Sequence, residues 1–132
     1  MFQALVQGEV TRQYWGHENV SDWKPGSRWT HQSPNEERTV RIVGTVIEYT
    51  PPRRLVLTWA APADAANEAA HSRVTFDIDM VGNMVRLRVT HDRLQPGSEM
   101  EHGINEGWPR VLSSLKSFLE TGRPLDTWAG KQ

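Results

Sequence analysis

The chain has 132 residues, no cysteine and a formal net charge of −1, with 15 Lys and Arg nearly balancing 16 Asp and Glu. That length suits one domain with a core that needs no staples, and the lack of cysteine excludes disulfide and thiolate chemistry and fits a reducing, cytoplasmic compartment. Balanced charge without a basic block argues against nucleic acid or an anionic membrane as partner, no apolar run has the length of a membrane span, and the first residues lack the charge and cleavage site of a signal peptide.

Residues 2–6 read as a short helix with Phe2, Leu5 and Val6 on one side, interrupted at Gly8. Residues 10–15 read as a second helical turn, ended by Gly16, with Val10, Tyr14 and Trp15 facing inward. A brief strand is expected over 19–23, then a turn at Lys24-Pro25-Gly26-Ser27, where proline presets φ and glycine supplies φ > 0. Residues 28–32 alternate, with Trp29 and His31 sharing a face. A long β-rich run covers 38–50, and Gly44 within it is expected to mark a bulge or bend where the alternation changes phase. After Pro51-Pro52, residues 54–60 form another strand with Leu55, Leu57 and Trp59 on one face. Residues 61–70 read as a loop with a little helix.

The clearest alternation lies over 73–81, with Val74, Phe76, Ile78 and Met80 in and Thr75, Asp77 and Asp79 out. Gly82-Asn83 is a hairpin signal. The return strand, 84–93, places Val85, Leu87, Val89 and His91 on one face, and sets outward Arg86 and Arg88 across from Asp77 and Asp79. Residues 94–107 read as a polar connector. Apolar residues at Trp108, Val111, Leu112, Leu115, Phe118 and Leu119 then step by three and four, which predicts an amphipathic helix over 108–122. Pro109 fits its first turn and Gly122 its left-handed cap. Residues 123–132 form a tail anchored by Trp128. Two short helices, a meander of five or six antiparallel strands and one long helix make a two-layer α+β sandwich.

Several segments together resemble a known family: Asp22-Trp23-Lys24-Pro25-Gly26-Ser27, the run from Pro51 through Trp59, Ser72-Arg73-Val74-Thr75-Phe76, Thr90-His91-Asp92, and Gly107-Trp108-Pro109 through Gly122. In this order they are similar to the activator of heat-shock protein 90 ATPase homologue-like family of the START-like (SRPBCC, birch-pollen-allergen-like) superfamily. The resemblance implies a helix-grip fold, in which a curved antiparallel sheet wraps a long C-terminal helix around a cavity. It also implies small hydrophobic ligands for most members, enzymes such as cyclases among distant relatives, and a co-chaperone tied to the stress response in the namesake. Relatives begin with a strand ahead of the first helix, whereas here Met1 falls at that helix. Two unpaired sheet edges are therefore expected, either in a truncated chain or in one that closes the gap by homodimerising or with its own tail.

His31 and His91 are the sharpest candidates for chemistry, since each shares a face with large apolar residues. Each is read either as a group that bonds a ligand or acts as acid and base, or as a core histidine bonded to backbone. No third ligand at helpful spacing accompanies them, which argues against zinc. Trp29, Trp59 and Trp108 either pack the core or line a pocket for a flat apolar ligand, with Tyr14 and Trp15 closing one end and Trp23 holding the turn at Pro25-Gly26. Glu48 is expected to face outward because Ile47 and Tyr49 claim the inward face, and Asp22 to bond the following turn. Arg73, Arg86 and Arg88 read as a solvated face. There is no nucleophile elbow, phosphate-cradling loop or metal motif, and Ser113-Ser114 lies mid-helix without a base nearby in sequence. The first expectation is a binder of a small hydrophobic molecule, without cofactor, between the sheet and the final helix. Its site would draw on Tyr14, Trp15, Trp29, His31, Trp59, Phe76, His91, Trp108, Leu112 and Leu115. The alternatives are a co-chaperone-type interaction module and an enzyme using a cavity histidine.

Overall fold

The computed structural model describes residues 2–33, 39–94 and 99–125. Helices α1 (Gln3–Val6) and α2 (Gly8–Trp15) lead into six strands, β1 (Glu18–Ser21), β2 (Arg28–Gln32), β3 (Val40–Thr50), β4 (Arg54–Trp59), β5 (Ser72–Val81) and β6 (Met84–Asp92), and then into α3 (Glu99–Thr121). The strands pair antiparallel in sequence order, so β1 and β6 are the two edges of the sheet. This is the two-layer α+β arrangement that the hydrophobic periodicities imply, and the helix-grip fold that the resemblance implies. The 61–70 segment contains two 3₁₀ turns, Pro62–Asp64 and Glu68–Ala70.

The core lies between the sheet and the helices. Its most buried side chains are Trp29, Tyr14, Leu55, Leu57, Val46 and Val74. The β5–β6 hairpin has the expected register, with Asp77 opposite Arg88 and Asp79 opposite Arg86. Arg86 bonds both oxygens of Asp79, at 3.0 and 2.7 Å, whereas Asp77 takes its cation from β4, with Arg54 Nη1 at 3.1 Å.

The final helix differs from expectation at its start. It begins at Glu99, so Pro109 lies inside it rather than in its first turn, and residues 99–107 are helix rather than connector. Proline there removes one i→i−4 hydrogen bond, a loss that this long helix absorbs. The end is as expected: Gly122 has φ 78° and its N–H bonds Phe118 O at 2.8 Å, a conformation glycine reaches without a Cβ penalty. The buried stripe is also narrower. Ile104, Trp108, Val111, Leu115 and Phe118 belong to or pack on the core. Leu112 is half-buried, and Leu119 is 43% exposed, because each lies to one side of that stripe on a 3.6-residue period. The tail, including Trp128, lies outside the described residues from position 126 on.

Ser114 ties α3 to α2. Its hydroxyl is fully buried, donates to Tyr14 O at 2.8 Å and accepts from Leu125 N at 3.1 Å. Ser114→Ala leaves both groups without this partner and is expected to cost about 1–3 kcal/mol in urea denaturation.

Strand β3 corrects two expectations. The phase of its alternation changes at Ile47, not at Gly44. The register with β4 slips between Val46 and Glu48, leaving Ile47 as the extra bulge residue, 42% exposed. Ile47 therefore does not share the inward face with Tyr49. Glu48 does face outward, paired with Arg54 Nε at 3.5 Å. Gly44 has a different task, set by Trp29. A Cβ on Gly44 would overlap the Thr58 carbonyl oxygen and Trp29 Nε1. Trp29 Nε1–H enters between β3 and β4 and donates to Thr58 O at 2.8 Å. That carbonyl would otherwise take the ladder bond from Thr45, whose N–H instead bonds Thr58 Oγ1 at 2.7 Å. The two strands are thus wedged apart locally between the Val43–Ala60 bridge and the Val46–Leu57 pair.

Candidate functional site

The inner face of β2, β4, β5 and β6, the end of α2 and the middle of α3 bring aromatic rings together. Trp59 is the centre: its ring lies 5.4 Å from Trp29, 5.6 Å from Trp108, 6.2 Å from Trp15, 6.2 Å from His31 and 5.5 Å from His91. Trp15 and Trp108 approach at 5.5 Å, and Phe76 closes on Trp108 at 5.8 Å. Each ring arrives because its strand alternates or because its helix turns one face inward, so residues spread from Trp15 to Trp108 meet at one place.

The cluster gathers Trp15, Trp29, His31, Trp59, Phe76, His91 and Trp108. Three other candidates stand apart from it. Tyr14 packs on Trp15 and Phe118 and donates its hydroxyl to Ala4 O at 2.6 Å, and burial raises its pKa. Leu115 is core beneath the helix, and Leu112 is half-buried at its margin. Trp23 packs against the core, with its backbone at φ 56°. The adjoining turn is held by Ser27 Oγ, which donates to Lys24 O at 2.6 Å, and by Ser21 Oγ, which accepts from Trp23 N at 3.0 Å. Asp22 is exposed.

Both histidines are fixed by partners that periodicity does not reveal. His31 Nδ1 meets Asn19 Oδ1 at 2.6 Å, while Asn19 Nδ2 donates to Leu5 O at 3.0 Å. With the amide group so oriented, Nδ1 carries the imidazole proton. Burial, reinforced by neighbouring His17, lowers the His31 pKa to about 3. The His17 ring stacks on it at 4.8 Å and is itself lowered, first by desolvation.

His91 is held in the opposite tautomer. Trp108 Nε1–H, which can only donate, reaches His91 Nδ1 at 3.1 Å. Nδ1 is therefore bare and Nε2 carries the proton. Nε2–H donates to Ser72 Oγ at 2.7 Å, and Ser72 donates onward to Trp59 O at 3.0 Å. Desolvation lowers the His91 pKa to about 4. A serine nucleophile needs a bare imidazole nitrogen facing its hydroxyl, whereas here that nitrogen holds a proton and the hydroxyl is committed to a carbonyl. The Ser72–His91–Trp108 chain thus orients the Trp108 indole and ties it to the Trp59 backbone. Asn19 and Ser72 escape a reading of sequence because their roles depend on register: Asn19 is the direct cross-strand partner of His31. One polar group in the cluster has no partner: Trp59 Nε1 is buried and unbonded among the described residues.

Among the described residues no group of three His, Cys, Asp or Glu is placed to hold a metal ion, and no helix is long and apolar enough to cross a membrane. A family model described as activator of Hsp90 ATPase homolog 1-like protein matches residues 1–120. The chain belongs to this family. Its fold recurs in the solution structure of an Aha1 dimer from Colwellia psychrerythraea, at 21% identity and a TM-score of 0.71, covering 92% of this chain and 86% of that one. It recurs in CalU16 from Micromonospora echinospora, at 19% identity and a TM-score of 0.70, over 92% of this chain and 68% of that one. An Hsp90 activator from Plasmodium falciparum is 26% identical with a TM-score of 0.58, over 96% of this chain and 81% of that one. No curated protein sequence matches the chain.

Proposed function

We propose that this family member binds a flat, largely apolar small molecule against the Trp15–Trp59–Trp108 faces, with an acceptor atom of that molecule on Trp59 Nε1. The carrying observation is that buried, unbonded indole N–H. Such a donor left unsatisfied costs about 1–3 kcal/mol, which a ligand acceptor returns. The rings supply apolar area and edge-to-face contacts, and the two histidines, neutral at physiological pH, add no charge to repel an apolar guest. The half-buried Trp108 and Leu112 form the approach from α3.

An uncharged, flat fluorescent probe with a carbonyl acceptor, 6-propionyl-2-dimethylaminonaphthalene, tests the placement. Trp59→Phe keeps the aromatic face and removes the donor, and is expected to weaken probe binding about tenfold. Leu112→Trp fills the approach and is expected to abolish it, with unchanged far-ultraviolet circular dichroism. Binding left intact by both variants overturns the reading.

A second reading, a protein-interaction module of co-chaperone type, has its own observation. The tip of the β5–β6 hairpin exposes Met80 (65%) and Met84 (71%) beside Val81 and Val85. Clustered exposed apolar side chains mark interaction sites, and they adjoin the open β6 edge, where a second copy of the chain would add its strand. Native mass spectrometry separates the two readings: a monomer carrying a small molecule favours the first, and a ligand-free dimer favours the second.

A further inference from the structure

The outward face of the sheet carries a groove of about 470 Å³ directly behind the place where Trp29 wedges β3 from β4. Its floor is one row across four strands. Arg28 on β2 stands opposite Thr45 on β3, Thr45 N bonds Thr58 Oγ1 on β4, and Thr58 stands opposite Arg73 on β5. Arg93, just past β6, and His71 complete the polar lining. Arg93 holds the left-handed backbone conformation, φ 61°, which residues other than glycine rarely adopt.

Three arginines therefore line one concavity, and among the described residues no carboxylate lines it with them. Among the described residues none of the three makes a salt bridge, in contrast to Arg54 and Arg86. Arg73 Nε is buried without a hydrogen-bond partner. Asp92 stands across the ladder from Arg73 but outside the lining. Thr58 Oγ1 accepts from Thr45 and keeps its own proton to give. His71 is occupied, with Nε2 at 3.0 Å from Asp64 O. Unpaired like charges in one concavity raise the local potential for an anion, and a guanidinium fork matches the oxygens of phosphate in pairs.

We propose that this groove binds the diphosphate group of a small molecule, with Arg28, Arg73 and Arg93 on its oxygens and the Thr58 hydroxyl between them. A single phosphate is small for a space of about 470 Å³ and has too few oxygens to engage three guanidiniums in pairs. The site lies on the face opposite the aromatic cluster and does not depend on what that cluster binds.

The test is a titration of the ¹⁵N-labelled protein with inorganic pyrophosphate at constant ionic strength. Saturable shifts are expected at the amides of Thr45, Thr58 and Arg73. Arg73→Gln and Arg28→Gln are each expected to weaken binding at least about tenfold. Arg88→Gln, which removes the same charge from β6 outside the groove, is expected to change it less than about twofold. Inorganic phosphate is expected to bind more weakly than pyrophosphate, and a diphosphate-bearing nucleotide to match pyrophosphate. Shifts that do not saturate, or an Arg88→Gln effect equal to that of Arg73→Gln, overturn the proposal and leave general charge screening in its place. Pyrophosphate binding that survives both groove variants also overturns it.

Discussion

Gly44→Ala is expected to remove about 3–5 kcal/mol of stability. Overpacking of a core by one methylene usually costs about 1–3 kcal/mol, because side chains can move aside. At Gly44 the obstacle is backbone. The new Cβ would overlap the Thr58 carbonyl oxygen as well as the Trp29 indole nitrogen, and these two groups are bonded to each other. Pushing Trp29 away breaks that bond and leaves a nearly fully buried tryptophan without its partner. Pushing Thr58 away shifts β4, which carries Leu55, Leu57 and Trp59 into the core. Domains of this size have about 5–15 kcal/mol in hand, so the variant should lose a large share of its stability and unfold at a clearly lower urea concentration. Urea denaturation of Gly44→Ala beside Trp29→Phe decides the matter. The phenylalanine variant loses one hydrogen bond and some volume, about 2–3 kcal/mol. A loss below about 1 kcal/mol at Gly44 would mean that the wedge between β3 and β4 has slack that the geometry denies.

How much of this was legible in the sequence varies with the range of the interaction. Strand alternation and hairpin chemistry are local, and they placed Val74, Phe76, Asp79 and Arg86 where the structure has them. The inward faces of β2, β4 and β6 are equally local, so Trp29, Trp59 and His91 could be expected on one side of the sheet. Glycine is the stronger local signal and points to Gly44 for the bulge, whereas the slip at Ile47 depends on pairing with β4. The front of α3 was lost to its polar composition and to Pro109, which reads as a helix start when nothing beyond the neighbouring residues is known. The hydrogen bonds that fix the histidines were out of reach for the same reason. Asn19 and Ser72 are ordinary strand polar residues until register sets them against His31 and His91. Arg73 reads in sequence as one of a solvated face with Arg86 and Arg88; its neighbours in the groove, Arg28 and Arg93, lie far from it or on another strand in sequence, and only the sheet order β2–β3–β4–β5 brings Arg28 and Arg73 to the ends of one groove.

Acid should destabilise the protein well before its carboxylates titrate. His31 and His91 are neutral in the folded chain, with pKa values of about 3 and about 4, and both return toward 6.5 on unfolding. Below pH 6.5 the unfolded state therefore binds more protons than the folded one, and stability falls as pH falls. The loss starts near pH 6.5 and continues through about 4 for His91 and about 3 for His31. His17, lowered by the same desolvation, acts with the same sign. Each fully coupled proton contributes up to about 1.4 kcal/mol per pH unit, so His31 alone accounts for about 2–3 kcal/mol at pH 4.5. Its burial justifies that figure, whereas His91, partly open to solvent, contributes less than its shift implies. Protonation also has a local consequence. Charged His91 presents N–H at Nδ1 toward Trp108 Nε1–H, two donors face to face, and their present separation of 3.1 Å cannot be kept. Tryptophan emission should therefore change within the same pH window. The measurement is a set of urea denaturation curves from pH 7.5 to 4.5 on the wild type and on His31→Gln. The variant should be less stable at pH 7.5, because the bond to Asn19 is weakened, yet lose less stability per pH unit, by about one proton. Parallel curves would show that His31 titrates normally, and the neutral, buried imidazole beside Trp15 and Trp59 would have to be given up.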